Sequence, residues 1–161
     1  LKAFAQAYSK YPELRLFVVG QGPEKDNVMR MADDFGIPGA IHFLGARNDT
    51  RDILAEADLF LLCSSAEASA YAVLEAMAAG LPAVLSDAGA AREQVIDGES
   101  GYVVGKDDTT AFAERIVTLA QDSDMRIRFG RVAHKRWNDN YEANSSARQY
   151  HRLIRSVVRH E

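Results

Sequence analysis

A single cysteine, Cys63, excludes an internal disulfide and a multi-cysteine metal site, so nothing in the chain demands an oxidising compartment. Charge of one sign is lacking too. Nineteen basic residues against 23 acidic ones leave a formal net charge of −4, which gives no general pull toward nucleic acid or an anionic membrane. No uninterrupted apolar stretch resembles a signal peptide or a membrane span, and the opening LKAFAQAYSKYPELRL alternates as an exposed helix does. An initiating methionine is missing. A chain that opens inside a helix reads as a piece of a longer one, or as a processed or tagged product. Internal repeats and low-complexity segments are lacking as well. What remains, 161 residues of which 47% are hydrophobic and 26% charged, has the balance of one globular domain with one core. A cytoplasmic location is expected, with the inner face of the cytoplasmic membrane as the alternative.

Five short apolar runs read as buried strands: Leu14 to Val19, Ala40 to Leu44, Leu59 to Leu62, Pro82 to Ser86 and Gly101 to Val104. Helical spacing fills the intervals, at Glu24 to Phe35, Thr50 to Glu56, Tyr71 to Ala79 and Ala90 to Ile96. Strict alternation predicts an α/β fold, a Rossmann-like parallel sheet with helices on both faces. After Val104 the pattern is wholly helical, over Thr109 to Gln121, Asp124 to Arg136 and about Asn144 to His160. In such a sheet ligands bind beyond the carboxyl ends of the strands. The loops after Val19, Leu44, Leu62 and Ser86 are therefore the places to look.

After the third strand, Ala66 to Ala70 lead directly into a helix starting near Tyr71. Free N–H groups and the helix dipole favour an anion such as phosphate there, and small side chains let it approach the backbone. Glu67 precedes the helix and Glu75 falls about one turn inside it. Carboxylates repel phosphate, so their partners would be hydroxyls, which suits a ribose and a sugar flanking a diphosphate. The bland alternatives are a solvated helix surface for Glu75 and a charge complementing the helix dipole for Glu67.

The other loops carry weaker signals. Gly20-Gln21-Gly22-Pro23 is either a close approach of backbone to ligand or a tight turn, and it is not a GxGxxG or phosphate-loop motif. Gly45-Ala46-Arg47 offers a turn and a cation for a phosphate or base, with Asn48 or Asp49 capping the next helix. Arg92 reads first as a surface ion pair with Glu93 and second as a phosphate contact. The four histidines form no ligand cluster with Cys63, and His42 reads as packing. Arg148, Arg152, Arg155 and Arg159 recur at helical intervals; a solvated face, or one packed on another domain, is the first reading, and an anionic membrane the second.

The stretch EASAYAVLEAMAAGLP resembles the EGFGxxxxEAMAxGxP wording of the family 4 retaining glycosyltransferases, the glycosyl transferases group 1, which have the two-Rossmann-domain GT-B architecture. Their two glutamates fall on Glu67 and Glu75. LRLFVVGQGP, IHFLGARND, ADLFLLCSSAE and DAGAAREQVIDGESGYVV resemble further blocks of the family in the same order. The family's GFG is Ala68-Ser69-Ala70 here, which removes both glycines.

The resemblance implies that residues 1–161 are the nucleotide-sugar (donor) domain of a larger enzyme, without its N-terminal acceptor domain. Glu75 would hold the ribose and Glu67 would lie near the transferred sugar in the catalytic role. Backbone at Ser69, Ala70, Tyr71 and Ala72 would face sugar and diphosphate, Gly20 and Gly22 would approach the donor, and Ala46 and Arg47 would lie beside the base. Neither a cofactor nor a metal is implied. The donor substrate is a nucleoside diphosphate sugar, UDP- or GDP-linked, and the acceptor is a glycan or lipid-linked sugar in bacterial envelope polysaccharide or glycolipid synthesis, with peripheral membrane contact as an option. The family's first strand and its Arg- and Lys-bearing loop would precede Leu1, so the expectation is a closed-up five-strand sheet or a slot filled by another chain, and an inactive fragment. The competing readings are a sugar-nucleotide epimerase of the same architecture and a non-catalytic flavodoxin-like module.

Overall fold

The computed structural model describes residues 1–65 and 70–158. Helices α1 (Lys2–Lys10), α2 (Lys25–Asp34), α3 (Thr50–Ala55), α4 (Tyr71–Ala78) and α5 (Ala91–Gln94) alternate with strands β1 (Leu16–Val19), β2 (Ile41–Gly45), β3 (Phe60–Leu62), β4 (Ala83–Ser86) and β5 (Gly101–Val104). A 3₁₀ turn at Pro38–Ala40 precedes β2, and α6 (Thr109–Gln121), α7 (Ser123–Asn140) and α8 (Ala143–Val158) close the chain. Each predicted strand occurs within two residues of its expected limits. The helices α6 and α7 start on aspartates whose carboxylates accept first-turn amides, Asp108 from Ala111 at 2.8 Å and Asp122 from Met125 at 2.7 Å.

All strand pairs are parallel, as the alternation predicts, but they form two ladders rather than one. The ladder β3-β4-β5 is three-stranded and β1-β2 is two-stranded, and no hydrogen-bonded pairing joins β1 to β3. The closed-up five-stranded sheet expected from the sequence therefore does not form among the described residues. Among the described residues β1, β2, β3 and β5 each keep one unpaired edge.

Burial explains why the ladders differ. Every residue of β4 is buried, and its side chains alternate between two cores as a strand's period of two requires. Val84 joins Ala3, Ala7, Phe112, Ile116 and Leu119 beneath α1 and α6. Ala83 and Leu85 join Val73, Met77 and Ala133 beneath α4 and α7. Side chains such as Leu85, Met77 and Ile116, each at most 2% exposed, contribute roughly 1.5–3 kcal/mol apiece. By contrast β1-β2 is covered on one face, where Leu16, Val18 and Phe43 pack on Phe4, Ala32 and Ile37. On the other face Phe17 is 55% and Val19 39% exposed, and the Phe17 ring stacks on His42 with centroids 5.0 Å apart.

The last helix, α8, is amphipathic as predicted. Its apolar positions Tyr150, Leu153, Ile154 and Val157 follow one face at three- and four-residue spacing and are 60–68% exposed. Among the described residues no helix is long and apolar enough to cross a membrane.

Candidate functional site

The loops named by the sequence leave the carboxyl ends of the strands, and they fall into two sets. One set belongs to β1 and β2. Gly20 takes φ +128° and its N–H donates to the Gly45 carbonyl at 2.8 Å, which locks the two loops side by side. Gly22, Ala46 and Arg47 lie exposed on this edge. Arg47 is not free to reach out: its Nε and Nη2 donate to the two carboxylate oxygens of Asp49 at 2.8 and 2.5 Å. The guanidinium holds the Asp49 carboxyl below the usual range. Asp49 does occupy the N-cap position of α3, yet its side chain makes no capping bond, because Arg47 has taken it. The expected cap is thereby corrected.

The second set belongs to β3 and β4. The buried Ser86 hydroxyl donates to the Ser64 carbonyl at 2.6 Å and ties the two loops together. Asp87 and Arg92 form a bidentate pair, with Nε and Nη2 within 3.0 Å of the carboxylate. Arg92 therefore pairs with Asp87 five residues back and not with Glu93, as the sequence suggested. That pairing pulls the Asp87 carboxyl down and pushes the Arg92 guanidinium up. The Glu93 carbonyl is engaged elsewhere, accepting from Tyr141 Oη at 2.8 Å and from Arg136 Nε at 3.2 Å.

Helix α4 begins at Tyr71 with Ala70 as N-cap, so no side chain of the cap residue satisfies its first amides. Ala70 is buried, whereas Tyr71 is 81% exposed and Ala72 is exposed. Glu75, one turn further, is exposed and no described residue binds its carboxylate. Glu67 and Ser69 lie outside the described residues. The open first turn of an eight-residue helix, beyond the end of a parallel strand, is a place where backbone donors and the helix dipole suit a phosphate. Beside it, Leu62, Ser64, Ala70, Val73, Ser86 and Gln94 line a partly open hollow of about 10 Å³, about the room of one water.

The structure thus assembles Ala70, Tyr71, Ala72 and Glu75 on one ladder's edge and Gly20, Gly22, Ala46 and Arg47 on the other's. No hydrogen bond between described residues links the two groups. The reading from sequence missed Ser64 and Ser86, whose bond ties the β3 and β4 loops together, and Gln94, whose Nε2 donates to the Ala70 carbonyl at 3.2 Å. A signal for Gln94 was present: Ala91, Gln94 and Val95 share the i, i+3, i+4 spacing of a buried face, with a glutamine in an otherwise apolar stripe.

The family model described as Glycosyl transferases group 1 matches residues 1–136. The chain belongs to this family. Among curated relatives, the lipopolysaccharide core biosynthesis glycosyltransferase LpsE of Rhizobium meliloti is 30% identical over 94% of this chain and 44% of its own length. The N-acetyl-alpha-D-glucosaminyl L-malate synthase of Bacillus anthracis is 28% identical over 99% of this chain and 42% of its own. The chain therefore spans less than half the length of these group 1 relatives. Among solved structures, Anabaena HepE in complex with UDP superposes with a TM-score of 0.86 at 23% identity, over 96% of this chain and 44% of that one. At that identity the superposition speaks for the fold, which the group 1 chain shares over nearly all its length.

Proposed function

We propose that this chain is the donor-binding domain of a retaining hexosyltransferase. In this reading a nucleoside diphosphate sugar, UDP- or GDP-linked, lies over the α4 N-terminus, and the sugar passes to an envelope glycan or lipid-linked acceptor held by another part of a longer protein. One observation carries it: an α4 first turn whose cap residue supplies no acceptor, followed one turn on by an exposed Glu75 that no described residue binds. The relatives support it at the level of chemistry, since one is named as a lipopolysaccharide core biosynthesis glycosyltransferase and another as an N-acetyl-alpha-D-glucosaminyl L-malate synthase.

The chemical demand is set by the leaving group. The bond between the anomeric carbon and the diphosphate oxygen breaks, its electron pair stays on the diphosphate, and negative charge grows there. Oriented N–H groups of Tyr71 and Ala72 would stabilise that charge without reorganising. Glu75 would accept from the ribose hydroxyls, a charge-assisted bond that fixes the nucleoside. Glu67 would act at the transferred sugar. Gly20, Gly22, Ala46 and Arg47, across on the β1-β2 edge, would line the nucleoside side.

Calorimetric titration with UDP, GDP and ADP, beside the Glu75→Ala variant, tests the reading. Binding of one diphosphate, weakened about tenfold on losing Glu75, is expected from the loss of charge-assisted hydrogen bonds. Silence from all three diphosphates, both here and in a protein extended at its N-terminus, would overturn it.

A further inference from the structure

Among the described residues four polar side chains are buried, and Gln94, 2% exposed, is the largest of them. Its Nε2 donates to the Ala70 carbonyl at 3.2 Å, across 24 residues of chain. The same carbonyl accepts the Val73 N–H at 3.1 Å, the first hydrogen bond of α4. Ala70 is the N-cap residue and contributes no side-chain acceptor.

A peptide group is planar and trans, so its C=O and the following N–H point in opposite directions. Holding the Ala70 carbonyl inward from two sides therefore fixes where the Tyr71 N–H points. Gln94 is itself anchored, since its backbone carbonyl accepts from Arg136 Nε at 3.1 Å and the adjoining Glu93 carbonyl accepts from Tyr141 Oη at 2.8 Å. A line of hydrogen bonds runs from α7 through the end of α5 to the first peptide of α4.

We infer that Gln94 is a positioning residue of the donor site, aiming the Tyr71 N–H at the donor's diphosphate; the inference rests on the donor-domain reading above. A glutamine suits this role because its amide donates, while an ionised carboxylate of the same shape is an acceptor only and would repel the Ala70 carbonyl. Ala91 and Val95, three residues before it and one after it, are buried in the core beneath α4, and Gln94 is itself buried.

The test uses the whole chain with Gln94→Met, which keeps length without a donor, and Gln94→Glu. Backbone amide exchange at Val73 and the amide chemical shift of Tyr71 are measured by NMR without ligand, and UDP, GDP and ADP are titrated calorimetrically. Gln94→Met is expected to speed exchange at the Val73 amide, whose acceptor is the Ala70 carbonyl, and to move the Tyr71 amide shift, while exchange in β4 stays unchanged, and to weaken the bound diphosphate about tenfold, the scale of one lost hydrogen bond. Gln94→Glu is expected to bind poorly at pH 8 and to approach the unaltered chain at pH 5.5, because burial raises a carboxyl's pKa and the protonated acid donates again. Unchanged exchange in Gln94→Met overturns the positioning role whatever the nucleotides do, and faster exchange with unchanged affinity overturns its link to the donor. Failure of the unaltered chain to bind any of the three, with faster exchange in Gln94→Met, counts against the donor reading while leaving Gln94 as the residue that sets the turn.

Discussion

A Cβ placed on Gly130 would sit 2.0 Å from the carbonyl oxygen of Gly80. Helix α7 thus lies directly on the turn that ends α4, where Gly80 takes φ +74°. One turn further along α7, His134 Nδ1 lies 2.9 Å from the Ala78 carbonyl, at the last residue of α4. The helix that carries the candidate anion site is thereby clamped at its far end.

Gly130→Ala is expected to cost about 1–3 kcal/mol of stability, as overpacking against backbone does. Because the obstructing atom is a carbonyl and not a flexible side chain, the upper part of that range is expected, with a melting point lower by roughly 4–10 °C. Gly22→Ala is the contrast. Nothing lies within 4 Å of the added methyl there, so thermal unfolding should match the unaltered chain.

The open edges make a separate prediction about exchange. Ala83, Val84 and Leu85 of β4 are paired on both sides, and their amides should exchange slowest of all strand amides. In β3 the Phe60 N–H donates to the Pro82 carbonyl at 3.0 Å, and strand geometry turns the next residue's amide, that of Leu61, to the unpaired edge. Hydrogen exchange by NMR should show Leu61 at least tenfold faster than Phe60. Equal protection of the two would mean that β1 and β3 are bridged after all.

Acid should loosen α8 before the rest. Glu142 accepts the Asn144 and Ser145 amides at 2.9 and 3.1 Å, and these bonds hold its carboxyl below the ordinary value. A carboxyl with a depressed folded pKa contributes stability that is fully present above its unfolded pKa, about 4.3, and is lost as the pH falls through the folded value. Helical circular dichroism should therefore fall as the pH drops below about 4, and Glu142→Gln should already show the reduced helicity at pH 7.

Much of this was legible beforehand because the relevant forces are local. Strand positions followed from runs rich in β-branched or aromatic residues such as Leu14 to Val19, within which β1 forms, and the Tyr71 start followed from small residues leading into an apolar period. The split of the sheet was not legible, since β1 and β3 carry the same apolar signature as β4 and only spatial neighbours decide whether their edges are paired. Within the site, the partner of Arg92 was missed because Asp87 comes into reach only when the loop after β4 folds back. Asp49 was read as a cap, but a guanidinium two residues away outcompeted the helix amides for its carboxylate.

The family match stops at Arg136, yet the tertiary structure has no seam there. Trp137 and Tyr141 lie just past that point, and both pack on the core beneath α4, while the Tyr141 hydroxyl also holds the end of α5. The family model and the packing of the chain therefore draw different borders. Anyone trimming the protein to residues 1–136 would keep every recognisable motif and still remove two of the props under its candidate site.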